Sequence, residues 1–137
     1  MDAAVLAASP FVALVGWSVL LLLFHIGLQG MLATRELGSA WNAGPRDTQQ
    51  KPSGALAGRA DRASANFRET YAAFIGLALS LAIVGDPSGW GLTGAWIWLV
   101  CRLIYIPLYL AGIPYVRSLV WVGSAAGLLL MLLTLIF

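Results

Sequence analysis

Apolar positions along the chain fall into four runs separated by turn-forming residues. The first, from about Phe11 to Leu32, is interrupted by polar side chains only at Ser18, His25 and Gln29. Pro10 stands at its start, where a missing N–H costs a helix nothing. The second run, Tyr71 to Val84, is too short to cross a bilayer alone. Extended back to Arg59 it predicts a helix of about 39 Å whose first turns carry charge. Asp86-Pro87-Ser88-Gly89 is a tight turn and a helix-start signal. A third run follows from Trp90 to Ile113, with Pro107 expected to kink it. Gly112 and Pro114 mark the next turn, and a fourth run extends from Tyr115 to Phe137. The expectation is four helices over about 10–34, 59–85, 90–113 and 115–137, with one long polar connection, Gly38 to Gly58. Gly123 and Gly127 form a GxxxG in the last helix, read as a close packing contact in preference to a dimer switch.

Composition narrows the class. The 137 residues are 60% hydrophobic and only 10% charged, against about 25% charged in an average soluble domain. A soluble chain of this size would leave much of that apolar surface in water. The fold class predicted is therefore an all-α integral membrane protein, one domain forming a four-transmembrane-helix bundle. The single Cys101 cannot close an internal bridge. A net charge of +2 is too small and too scattered for a nucleic-acid partner. Met1-Asp2-Ala3 lacks the basic start of a signal peptide, so the first helix is expected to be retained.

The basic residues set orientation. Arg35, Arg46, Lys51, Arg59 and Arg62 lie in or beside the first connection and Arg117 beside the third, whereas the other side offers only Asp2 and Asp86. By the positive-inside rule the first and third connections face the cytoplasm, with both termini outside. Trp41, in the long connection, is expected at the interface.

Ionisable groups inside a span usually face a partner or a watery cavity. With Arg62 as zero, Asn66 falls at about +40°, Glu69 at about −20° and Arg59 at about +60° around the second helix. Four polar groups thus share one stripe, while Arg68 points elsewhere. The third helix carries a second stripe, Arg102, Tyr105 and Tyr109, at roughly 16, 12 and 6 Å below Ile113. Both stripes could line a cavity open to the cytoplasm. Guanidinium forks match carboxylates, and Glu69 would accept from an ammonium. That inventory suits a small zwitterion with more carboxylates than amines, with a hydrophobic partner entering from the lipid. A metal fits badly, because His25 and Cys101 are the only soft ligands and lie on different helices. A Ser-His-Asp hydrolase also fits badly, since no carboxylate lies near the only histidine in sequence. Structural readings stand beside these. Glu69 and Arg102 could neutralise each other as a buried pair, His25 could hydrogen-bond between helices, Cys101 could be filler, and the tryptophans could anchor and pack.

Arg59-x-x-Arg62-Ala63-x-x-Asn66-x-x-Glu69, then Arg102-x-x-Tyr105-x-x-x-Tyr109 and Arg117, resembles the MAPEG family, the membrane-associated proteins of eicosanoid and glutathione metabolism. Trp41-Asn42-Ala43-Gly44-x-Arg46-Asp47 looks like the bacterial branch. The resemblance covers nearly the whole chain. It implies a homotrimeric four-helix bundle in the bacterial inner membrane, both termini periplasmic, binding glutathione at subunit interfaces near the cytoplasmic side. By motif, Arg62, Asn66 and Glu69 would hold the tripeptide's polar ends, with Arg59 and Arg102 in the same binding set and Tyr105 and Tyr109 beside it. Arg117 would match the arginine near the thiol and Arg35 the one given by a neighbouring subunit, making Arg117, Arg35, Tyr105 and Tyr109 the catalytic candidates. Two positions depart from the family's leukotriene-forming branch: Thr70 stands where a tyrosine follows the motif glutamate, and the Tyr109-to-Arg117 gap is one residue longer.

The function expected is a glutathione-dependent transferase or peroxidase acting on lipophilic electrophiles or lipid hydroperoxides, with glutathione as co-substrate, membrane lipids around it and no metal. The alternative is a non-catalytic scaffold or lipid- and anion-binding protein of the same fold. A four-span cation exporter fits worse, because the first span carries no carboxylate and Glu69 sits among arginines.

Overall fold

Each apolar run becomes a helix. A computed structural model describes residues 2–137. Its elements are α1 (Ala3–Ala7), α2 (Pro10–Leu37), α3 (Ser39–Ala43), α4 (Ala55–Val84), α5 (Trp90–Ala111) and α6 (Pro114–Ile136). The four long helices are each apolar and long enough to cross a membrane. α2 packs chiefly on α4 and α5 chiefly on α6, two antiparallel hairpins joined by α4 against α5 and α6 and by α2 against α5.

The start of α4 lies a full turn before the expected Arg59. Glu36 of α2 anchors the two residues that lead into it. Glu36 Oε1 accepts from Ser53 N at 2.5 Å, Ser53 Oγ at 2.9 Å and Gly54 N at 2.8 Å. The end of α2 thereby clamps the beginning of α4 and shortens the long connection, which also contains α3. Asp86 does the same at α5, accepting from Gly89 N at 3.0 Å and Leu92 N at 2.7 Å. Pro107 lies inside α5, and the helix continues past it to Ala111.

The core is aromatic. Phe74 and Trp98 stack at 3.9 Å between centroids, and Phe67 packs on Trp98 at 5.6 Å. Leu14, Ala78, Leu81, Ala95 and Met131 fill the rest. Gly127 of the GxxxG faces α5 of its own chain. A Cβ on Gly127 would stand 2.6 Å from Gly94 O, and one on Gly94 would stand 2.6 Å from Gly127 O, so these helices touch backbone to backbone. Gly123 lies against the Cys101 thiol.

Two structural expectations are corrected. His25 does not bridge helices through Nε2, which is buried without a partner among the described residues; its ring packs on Phe67 at 4.8 Å. Glu69 is not the buried counter-charge of Arg102. It is exposed, and the guanidinium donates instead to two neutral oxygens.

Candidate functional site

Arg102 lies on the buried face of α5, 1% exposed, with its side chain directed at α4. Nη1 donates to Asn66 Oδ1 at 2.7 Å and Nη2 to Thr70 Oγ1 at 2.7 Å, while Nε has no partner. Asn66 and Thr70 are four apart and so share one face of α4. Because the arginine can only donate, the asparagine must turn its oxygen toward it. The amide nitrogen is left as a donor for whatever else adjoins Asn66. Tyr71 points away from this site: its hydroxyl lies 3.1 Å from the buried Ser18 Oγ.

From Arg102 a ladder of cations and rings climbs α5 toward α6. The guanidinium carbon lies 5.6 Å from the Tyr105 ring centroid, Tyr105 packs on Tyr109 at 5.4 Å, and Arg117 lies 4.6 Å over the Tyr109 ring. The spacing explains the ladder, since Arg102, Tyr105 and Tyr109 follow one another at three and four residues along one helix face. Each ring face attracts a cation, so Arg117 is held by α5 although it belongs to α6.

Beside the ladder is a cavity of about 190 Å³ lined by Asn66, Tyr105, Arg117, Ser118, Trp121 and Val122. Its polar side chains are an amide, a phenol, a guanidinium, a hydroxyl and an indole, and none is a carboxylate. Such a lining stabilises negative charge, and a guanidinium within about 4–6 Å lowers the pKa of a thiol placed there. Ser118 and Trp121 were not among the expected residues. Their signal was present in the sequence, because positions 117, 118 and 121 share a face of α6. Thr70 was visible only as a departure from a motif, and its bond to Arg102 shows what it does.

The structure thus brings together Asn66, Arg102, Tyr105, Tyr109 and Arg117. The other expected residues stand apart within one chain. Arg59 donates from Nη1 to Leu110 O at 3.0 Å, and its guanidinium fills the space where a Cβ on Gly112 would be. Gly112 has φ +74, so a glycine satisfies both the left-handed turn and the contact. Arg59 therefore closes the carboxyl end of α5, where a cation is favourable. Arg62 leans back along α4 toward Gly58 and lines a different cavity, under the connection between α2 and α4. Glu69 and Arg35 are exposed. Among the described residues no group of three His, Cys, Asp or Glu is placed to hold a metal ion.

The model of the MAPEG family matches residues 14–137. No curated protein and no solved structure matches the chain.

Proposed function

This chain belongs to the MAPEG family, and from that premise we propose that it is a glutathione-binding membrane transferase or peroxidase acting on lipophilic electrophiles or hydroperoxides. The observation that carries the reading is the carboxylate-free cavity bounded by Asn66, Tyr105 and Arg117. A thiol is largely protonated at neutral pH, and only its thiolate is a good nucleophile. Arg117, fixed against Tyr109, supplies the positive charge that favours the anion, with the Tyr105 hydroxyl as a hydrogen-bond donor to the sulfur. The thiolate then attacks an electrophilic carbon, forming a thioether as the leaving group departs with its electron pair. With a hydroperoxide it attacks the O–O bond instead, releasing the alcohol and a glutathione sulfenic acid that condenses with a second glutathione to the disulfide and water. Asn66, through its free amide nitrogen, Arg62 and Glu69 hold the polar ends of the tripeptide. Arg102 acts by positioning Asn66. Holding both reactants at one interface replaces a bimolecular encounter.

Glu69 and Arg35, exposed at the flanks of the helices, favour a homotrimer in which a neighbouring subunit covers the stripe, since a carboxylate facing lipid is costly. The arginine-rich end suits the cytoplasmic side of a bacterial inner membrane. A second reading, a non-catalytic lipid-binding protein, is favoured by a separate apolar groove of about 360 Å³ between α2 and α5, lined by Trp17, Leu20, Phe24, Leu99 and Leu103 among others. Turnover of glutathione with a lipophilic electrophile or hydroperoxide in proteoliposomes separates the two. Conjugation or peroxide reduction that disappears in Arg117→Ala supports the enzyme; saturable binding without turnover supports the second reading.

A further inference from the structure

The connection between α2 and α4 roofs a cavity of about 390 Å³ whose wall includes Gln29, Trp41, Arg46, Lys51, Asp61 and Arg62. Three of these side chains are cationic and one is anionic. Arg46 is set in place before any ligand arrives. Its guanidinium lies 4.5 Å over the Trp41 ring, and Nη2 donates to Asn42 Oδ1 at 2.6 Å and to Asn42 O at 3.3 Å. Both contacts are made by Nη2, and among the described residues Nε and Nη1 make no hydrogen bond, which leaves them as separate donors. The Arg46 backbone has φ +60, the left-handed region that is uncommon for an arginine. Trp41 on the same wall keeps its indole N–H buried with no acceptor among the described residues. A strained arginine, an unanswered indole donor and an excess of two cations point to an anion rich in acceptor oxygens. Guanidinium N–H groups donate charge-assisted hydrogen bonds to phosphate oxygens, and Lys51 adds a point charge.

The position of the cavity selects the source of that phosphate. Gln29 lies about 12 Å back along α2 from Leu37, so the cavity reaches below the helix end into the level of lipid headgroups. Basic groups beside a membrane span attract anionic lipids at that level. We propose that this cavity binds the phosphate of an anionic membrane phospholipid, with Arg46 and Lys51 as its principal partners, Arg62 on the shared wall and Asp61 accepting from a headgroup hydroxyl. Arg62 is shared with the glutathione reading, whereas Arg46 and Lys51 take no part in the Arg117 cavity, so the test is made at those two residues.

The test uses the full chain reconstituted in nanodiscs of phosphatidylcholine mixed with phosphatidylglycerol, then released for native mass spectrometry to count retained lipid. Retention of phosphatidylglycerol in preference to phosphatidylcholine is expected. The double variant Arg46→Gln/Lys51→Gln should lower phosphatidylglycerol affinity about tenfold or more, at the cost expected for losing two surface cations, while circular dichroism shows unchanged helix content. Arg46→Lys, which keeps the charge but not the fork, should fall between the two and guards against a folding artefact. Equal phosphatidylglycerol retention in wild type and double variant would overturn the proposal. Displacement of the lipid by inorganic phosphate as readily as by added phosphatidylglycerol would overturn the lipid assignment and make the site one for a free anion.

Discussion

Arg102 Nη1 stands 2.7 Å from Asn66 Oδ1, across the contact between α5 and α4. A fully buried guanidinium thus rests on a neutral amide, and the same bond sets which atom of Asn66 faces the Arg117 cavity. Leaving a buried donor without its acceptor costs about 1–3 kcal/mol, and more for a charged group. Asn66→Leu should therefore lower stability by that order, read as a large drop in unfolding midpoint in detergent. Asn66→Asp keeps an acceptor and adds an opposite charge, so it should retain most of the stability. Equal loss in both variants would contradict the role assigned to the bond.

Thr70 takes the second nitrogen of Arg102 at 2.7 Å. Thr70→Val keeps the shape and removes the acceptor, at an expected cost of about 1–3 kcal/mol. Thr70→Ser should be nearly neutral. Denaturant unfolding of the two variants side by side checks this.

The crossing of α5 and α6 is predicted to be the least tolerant packing contact. Gly127→Ala and Gly94→Ala each place a methyl 2.6 Å from the opposing carbonyl oxygen, and overpacking of this kind costs roughly 1–3 kcal/mol. Gly76→Ala has nothing within 4 Å and should be neutral or mildly stabilising, since alanine is the better helix former. Thermal unfolding of the three variants in one detergent gives the comparison.

Arg59 and Arg62 share a sequence stripe but should separate by experiment. Arg59→Ala removes the bond to Leu110 O and the cation at the end of α5, an expected loss of about 1–2 kcal/mol of stability with little change in glutathione affinity. Arg62→Ala should do the reverse, weakening affinity while leaving the unfolding midpoint nearly fixed. Parallel unfolding and equilibrium dialysis distinguish them.

The four spans, their turns and the Arg102–Tyr105–Tyr109 ladder were legible in the sequence because each rests on contacts between neighbours along one helix. Helix periodicity places a side chain on a face but does not say where a long flexible one ends. Arg59 and Arg62 lie within about 60° of each other on α4, yet one reaches α5 and the other folds back toward the connection. The early start of α4 depends on Glu36, which is distant in sequence from Ser53 and Gly54. Gly94 carried no visible motif of its own, and only the meeting with Gly127 reveals its use. Thr70 marked a departure from the family pattern, and the bond it accepts from Arg102 gives that departure a structural reason.

Arg117 is assigned the charge that favours the thiolate, and this predicts a pH signature. Arg117→Ala should lose most turnover at neutral pH and recover part of it as pH rises toward the ordinary thiol pKa of about 8.5, where the thiol ionises unaided. Affinity for glutathione should change less than turnover. A loss of affinity with intact turnover would contradict the assignment.

The most direct measurement is a glutathione titration of the purified protein in detergent at neutral pH, followed by the ultraviolet absorbance of the thiolate. The account predicts a saturable rise in thiolate absorbance that Arg117→Ala abolishes. Binding by dialysis with no thiolate signal would contradict thiol activation, and no binding at all would contradict the glutathione site itself.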